Sequence, residues 1–264
     1  MIRVENLTVT FGKGTPLEKQ ALNDLTLSIE AGEFVSVIGS NGAGKSPLLG
    51  AIAGDVAASA GRIVIDEADV TRQPTARRSA RVARVFQDPL AGSCGQLTIE
   101  ENLAIAAARG AARGLSHALT QERRTLFRDR LAGLGLGLEN RLQDRMALLS
   151  GGQRQALALV MATLAKSSVL LLDEHTAALD PGMAEFVIDL TRRIVEERRL
   201  TTLMVTHSMR QALDLGNRTV MLHEGKVVLD VKGDQRAGLG VDGLVDMFRR
   251  VRGRTLDDDA LLIG

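Results

Sequence analysis

Phe34-Val35-Ser36-Val37-Ile38-Gly39-Ser40-Asn41-Gly42-Ala43-Gly44-Lys45-Ser46 is the stretch that decides the fold. A buried-strand pattern runs straight into a glycine loop, and from Leu48 to Ala53 the spacing becomes helical. Gly39 to Ser46 fits the pattern of a glycine, four residues, then Gly-Lys-Ser. A strand before it and a helix after it are the setting in which that pattern binds phosphate. Glycines let the backbone close around an anion with its N–H groups turned inward, and the helix start adds partial positive charge. On that chemistry Gly39, Ser40, Asn41, Gly42, Ala43 and Gly44 cradle phosphates, Lys45 neutralises the β and γ phosphates, and the Ser46 hydroxyl ligates magnesium. The plainer reading is a glycine turn with a chance lysine.

Working outward, Ile2, Val4, Leu7, Val9 and Phe11 alternate with polar residues and predict an edge strand ending at Gly12-Lys13-Gly14. Leu22 to Ile29 predicts a second strand, Arg62 to Ile65 another and Val82 to Phe86 one more. From Thr98 to about Ala165 the texture changes to Ala, Leu, Arg and Glu. Thr98 with Glu101 predicts a capped helix start, Leu115 to Leu134 keeps helical spacing, and Arg109 to Arg113 and Gly133 to Gly137 suit loops. Strand character returns at Val169–Leu172, Thr201–Val205 and Thr219–Leu222, with a helical face over Gly182–Arg198 and a hairpin closed by Lys226–Val231. Strands alternating with helices predict an α/β protein with a parallel sheet covered by helices. The Asp257-Asp258-Asp259 tail reads as solvated.

Two further motifs carry chemistry. Val169–Leu172 ends in Asp173-Glu174, which sets Asp173 at a sheet's carboxyl edge where it can hold magnesium, with Glu174 able to polarise a water. Alone, these two acids read equally as helix-starting or turn residues. Leu149-Ser150-Gly151-Gly152-Gln153-Arg154-Gln155 opens a helix running to about Ala165, and Ser150 with two glycines makes an anion-receiving helix start. Alone, it reads as an N-cap with flexible glycines.

Together these motifs resemble the ATP-binding cassette of ABC transporters. In order they are the phosphate loop, Gln87 in Val85-Phe86-Gln87-Asp88-Pro89, the Leu-Ser-Gly-Gly-Gln signature, Asp173-Glu174, Ala178-Leu179-Asp180, and His207 in Val205-Thr206-His207. The resemblance covers residues 1 to about 230. It implies a P-loop NTPase core with an N-terminal antiparallel β subdomain and an inserted α-helical subdomain. Residues 1–88 and 167–235 would form the nucleotide-binding core, 89–166 the helical signature subdomain and 236–264 a C-terminal extension.

It further implies two copies head to tail with ATP and Mg2+ between them. Phe11 would stack on adenine, although an ordinary strand residue is the alternative. Gln87 would touch magnesium or the attacking water and link the site to a transmembrane partner. His207 would contact the γ phosphate and orient Glu174, the base. Ser150, Gly151 and Gly152 would bind the γ phosphate of the other copy's ATP, and Asp180 would cross the dimer interface, with a plain helix cap as the alternative. His117, His175 and His223 read as surface or structural, and Cys94 has no role.

The wording of Asp173–Pro181, Gln87–Gly92 and Met221–Gly225 is similar to a bacterial importer group that works with permease subunits and an extracytoplasmic solute-binding protein. Some members of that group are linked to aromatic amino acids. One departure stands out: Pro47 replaces the threonine that follows Lys-Ser in the family. It lacks both the hydroxyl and the N–H that bind the α phosphate, and it disfavours helical backbone at Ser46. Weakened nucleotide binding is the expectation, with a weak-turnover regulator as the rival reading.

Composition narrows the partners. The chain has 264 residues, 33 basic against 32 acidic, so net charge gives no support for a broad nucleic-acid or membrane surface. Six Phe with no Trp or Tyr argue against base stacking. Nucleic acid is therefore not an expected partner, which weighs against a soluble non-transport ATPase. An exporter stays possible. One cysteine excludes an internal disulfide. A carboxylate at Glu5 interrupts any leader-like apolar run, and Ala156–Ala165 is about half of the roughly 20 residues that span a bilayer. The expected place is cytoplasmic, peripheral at the inner face of the membrane through a partner.

Overall fold

The computed structural model describes residues 1–111 and 117–252. They fall into two compact units: Met1–Arg78 with the described residues from Arg199 on, and Ser79–Arg198. Up to Arg78 the elements are β1 (Ile2–Phe11), β2 (Lys19–Ile29), β3 (Phe34–Ile38), α1 (Lys45–Ala53), β4 (Ala60–Ile65), β5 (Ala68–Asp69) and α2 (Thr75–Arg78). The second unit holds β6 (Val82–Val85), α3 (Ile99–Ala107), α4 (Gln121–Ala132), α5 (Gly151–Leu164), β7 (Val169–Asp173) and α6 (Pro181–Arg198). The chain then returns with β8 (Thr201–Val205), α7 (Met209–Asp214), β9 (Arg218–His223), β10 (Lys226–Lys232), α8 (Asp234–Ala237) and α9 (Val241–Arg252).

The first unit has an antiparallel sheet in the order β2-β1-β4-β5. β1 is therefore an inner strand, not the edge its pattern predicts. Alternation reports that one face meets water, and it is silent about which strands flank the ladder. In the same unit β9, β3 and β8 run parallel, and β10 closes antiparallel on β9 through the Glu224-Gly225 turn. All five residues of β3 are buried, as a parallel strand covered on both faces requires, and its one polar member, Ser36, donates to the Leu215 carbonyl.

α1 is anchored at its far end. The buried Arg78 guanidinium donates to the Ala51, Ile52, Thr71 and Gln73 carbonyls, satisfying the last turn of α1 and opposing its dipole. α9, to which the sequence patterns assign nothing, seats Leu244, Val245 and Phe248 against Ile38, Met209, Ala212 and Met221. It thereby supports the strand that leads into the phosphate loop.

In the second unit β6 and β7 pair in parallel, Val82 to Val85 against Val169 to Leu172. The Thr98–Glu101 capping box forms as expected, at 2.7 Å from the Thr98 N–H to Glu101 Oε2 and 3.3 Å for the reciprocal bond. Arg113 and the start of the helical run at Leu115 lie outside the described residues, as does the Asp257–Asp259 tail.

Candidate functional site

The phosphate loop connects β3 to α1 within the first unit, and its shape is dictated by neighbours. Gly39 has φ 151°, and a Cβ there would sit 2.4 Å from the Leu222 carbonyl oxygen. Gly44 has φ 105°, and its Cβ would sit 2.7 Å from the Ala21 carbonyl oxygen. Both positions exclude any side chain. The Ala43 carbonyl accepts from Gly225 N–H at 3.0 Å, so the β9–β10 turn braces the loop. At its exposed tip, a Cβ on Gly42 would meet nothing within 4 Å, which leaves open space over the loop. Lys45 is buried and its Nζ donates to the Gly39 and Ser40 carbonyls at 2.7 and 3.0 Å, folding the ammonium back across the loop.

Ser46 lies within α1, against the expectation that Pro47 would draw it out of helical backbone. Pro47 is the third helical residue, and the first intrahelical donor is Leu48 N–H to Gly44 O at 2.9 Å. The proline therefore removes no helical bond, and the rest of α1 holds Ser46 in the turn.

The parallel pairing of β3 with β8 sets His207, two residues beyond β8, beside the strand end from which the loop departs. Thr206 N–H donates to the Val37 carbonyl, and Ser208 caps α7 through Gln211 N–H, fixing the backbone on both sides of His207. Arg236 caps the other end of α7 on the Ala212, Leu213 and Leu215 carbonyls. Phe11, 45% exposed, ends β1 opposite Lys19 of β2, the strand whose Ala21 and Leu22 lie against Gly44.

In the second unit, parallel pairing of β6 and β7 brings Gln87 and the Asp173-Glu174 pair to one end of that sheet. Asp173 closes β7 and accepts from Arg84 Nη2 at 2.7 Å. Glu174 holds φ 45°, a left-handed conformation that costs a non-glycine residue about 1–3 kcal/mol. Its carbonyl accepts from Ala177 N–H in the turn that follows.

Ser150 caps α5 in a full capping box with Gln153, at 3.3 and 3.2 Å. A Cβ on Gly152 would crowd Met183 of α6 at 2.7 Å, which gives that glycine a packing reason. A Cβ on Gly151 would meet nothing within 4 Å, so its own chain does not require a bare backbone there. Asp180 is the N-cap of α6: its Oδ1 accepts from Met183 N–H at 3.0 Å. Within the second unit the Gln87 amide oxygen and the Asp173 carboxylate are hard oxygen donors of the type magnesium takes, and in the first unit the Ser46 hydroxyl is another of that type.

His175 is buried and shares a 3.0 Å bond with Thr191 Oγ1. The Thr191 hydroxyl donates to Val187 O at 2.7 Å, so its oxygen accepts from His175 Nε2–H. Burial lowers the imidazole pKa from 6.5 to about 4. The unfolded chain takes this proton as pH falls through 6.5, whereas the folded chain takes it only near 4. Stability is therefore lost on acidification across that window, by about 2 kcal/mol between pH 7 and pH 5. Urea titrations at those two pH values should show His175→Gln losing less stability than wild type by about that amount. Parallel losses in the two proteins would show that this ring does not govern the acid sensitivity.

The ABC transporter family model matches residues 22–177. A tyrosine transport ATP-binding protein of Clostridioides difficile is 44% identical over 248 residues, covering 94% of this chain and 98% of that protein. The chain is an ABC transporter ATPase. A thiamine import ATP-binding protein of Salmonella paratyphi A is 36% identical over 210 residues, 80% of this chain and 84% of its own length. A dimeric post-hydrolysis structure of the ATP-binding cassette MJ0796 with ADP and Pi superposes with a TM-score of 0.77 at 29% identity. That match covers 88% of this chain and 98% of the other.

Sequence patterns miss two residues of this ABC ATPase that tie its motifs together. Gln155, buried in α5, donates from Nε2 to the Phe86 carbonyl at 3.2 Å and so links the signature helix to the segment bearing Gln87. Its signal was a polar residue on the apolar stripe of α5, which needs a partner. Arg84, a charge inside the otherwise apolar β6, is the other.

Proposed function

We propose that this ABC ATPase powers an importer of aromatic amino acids from the cytoplasmic face of the membrane. The observation that carries this reading is the near-full-length likeness to a protein named for tyrosine transport. Two copies would work head to tail against permease subunits, supplied by an extracytoplasmic solute-binding protein, with no nucleic acid involved. The nucleotide-binding core is 1–88 with 167–235, the helical signature subdomain 89–166 and the C-terminal extension 236–264. Among the described residues no helix is long and apolar enough to cross a membrane, so attachment through permeases agrees with the chain's own composition.

The chemistry is phosphoryl transfer from ATP to water. Gly39 to Gly44 supply backbone donors to the phosphates, Pro47 borders them, and Phe11 stacks on the adenine. Lys45 exchanges its Gly39 and Ser40 carbonyl partners for phosphate oxygens. Ser46, Gln87 and Asp173 hold Mg2+, which neutralises charge on the phosphates when bound. Glu174 takes a proton from the attacking water, and His207 orients that carboxylate and meets the γ phosphate. Ser150, Gly151 and Gly152 receive the γ phosphate of the partner copy's ATP: the cap leaves the Ser150 hydroxyl proton to donate, and the open space at Gly151 admits close approach. Asp180 crosses to the partner copy.

The test is uptake. Cells lacking the chain should lose most uptake of radiolabelled tyrosine, with recovery on re-expression of the wild-type chain. Unchanged tyrosine uptake accompanied by loss of thiamine uptake would overturn the substrate reading.

A further inference from the structure

Arg84 is out of character with its strand. Val82, Ala83 and Val85 of β6 are buried, and a guanidinium among them needs a compensating partner. Register supplies one. Arg84 pairs with Leu171, so Asp173, two residues further along β7, faces the same side. Arg84 Nη2 donates to Asp173 Oδ2 at 2.7 Å, with the two side chains only 15% and 13% exposed. The guanidinium also lies over the Phe86 ring, 4.6 Å from its centroid. An aromatic face and a carboxylate thus fix the cation from two directions.

We propose that Arg84 is a resident counter-cation of Asp173 that a divalent metal must displace, so that it sets the metal affinity of the site. The inference rests on the reading of Asp173 as a metal ligand. Two effects oppose each other. The hydrogen bond orients the carboxylate, which favours the metal. The positive charge repels a divalent cation approaching the same carboxylate, in surroundings where water screens poorly. Orientation is worth one hydrogen bond, whereas the repulsion sets a single against a double charge at short range. Repulsion wins. Arg84 also keeps Asp173 from standing as an uncompensated, largely buried charge before metal arrives.

The experiment uses the full chain, a fluorescent ATP analogue, and its Kd measured with Mn2+ and with EDTA. The EDTA value divided by the Mn2+ value reports what the metal adds to nucleotide binding. Arg84→Met should raise that ratio about tenfold, and Arg84→Lys, which keeps the charge, should stay within about threefold of wild type. Phe86→Leu, which removes only the platform, should raise it about threefold and stands in should Arg84→Met fail to fold. An unchanged or lower ratio in folded Arg84→Met, or in Phe86→Leu where Arg84→Met does not fold, overturns the inference. Asp173→Asn separates the two levels. If it abolishes the metal effect while Arg84→Met changes nothing, only the role of Arg84 falls. If Asp173→Asn retains the full metal effect, the assignment of Asp173 falls as well.

Discussion

Glu174→Gln is expected to lower ATP turnover by about 10²–10⁴-fold while nucleotide still binds. The exchange is isosteric, and Gln tolerates the φ 45° backbone as well as Glu does, so the turn through Ala177 N–H should persist. What disappears is the carboxylate that, in the proposed role, accepts a proton from water; an amide oxygen is far too weak a base. With hydrolysis stopped and both phosphate-binding surfaces intact, ATP should accumulate in a closed pair of chains. Phosphate release and gel filtration with ATP read the two effects separately. Turnover within a few fold of wild type would remove Glu174 as the base. Lost turnover with no ATP-dependent dimer would instead place the defect before closure.

Pro47→Thr is expected to tighten Mg-ATP binding by about tenfold to several hundredfold. The third residue of α1 normally offers an N–H at a helix start, where donors have no intrahelical partner and face the anion. Proline withholds that N–H, and threonine restores it together with a hydroxyl. Hydrogen bonds to a charged group are worth roughly 1.5–3 kcal/mol each, so one gained bond, or two near the low end together, gives the stated range. The same substitution should slightly destabilise the nucleotide-free chain, by about 0.4–1 kcal/mol, because proline at a compatible φ restricts the unfolded ensemble. Calorimetric titration with thermal unfolding without nucleotide would show this pair of opposite signs. Equal affinities would mean that the loop already satisfies the phosphate without residue 47. Tight binding only in Pro47→Thr would favour the weak-turnover regulator.

What the sequence determined by itself is local in origin. The phosphate loop is legible because Gly39 and Gly44 need backbone that side chains forbid and because the adjoining periods switch from strand to helix. The caps at Thr98 and Ser150 are legible because each is closed by a residue three positions on. β3 and β8 end where their apolar runs end. Tertiary structure decided what depends on distant partners. Neither the inner place of β1 between β2 and β4 nor the seating of α9 on Ile38 and Met209 follows from any period within those segments. The burial of His175 against α6, the bond from Gln155 to Phe86 across 69 residues, and the pairing of Arg84 with Asp173 across 89 are of the same kind. Periodicity encodes which face of an element is apolar. Which polar group meets which is fixed only when the faces close and each buried charge or amide must find the partner that water can no longer supply.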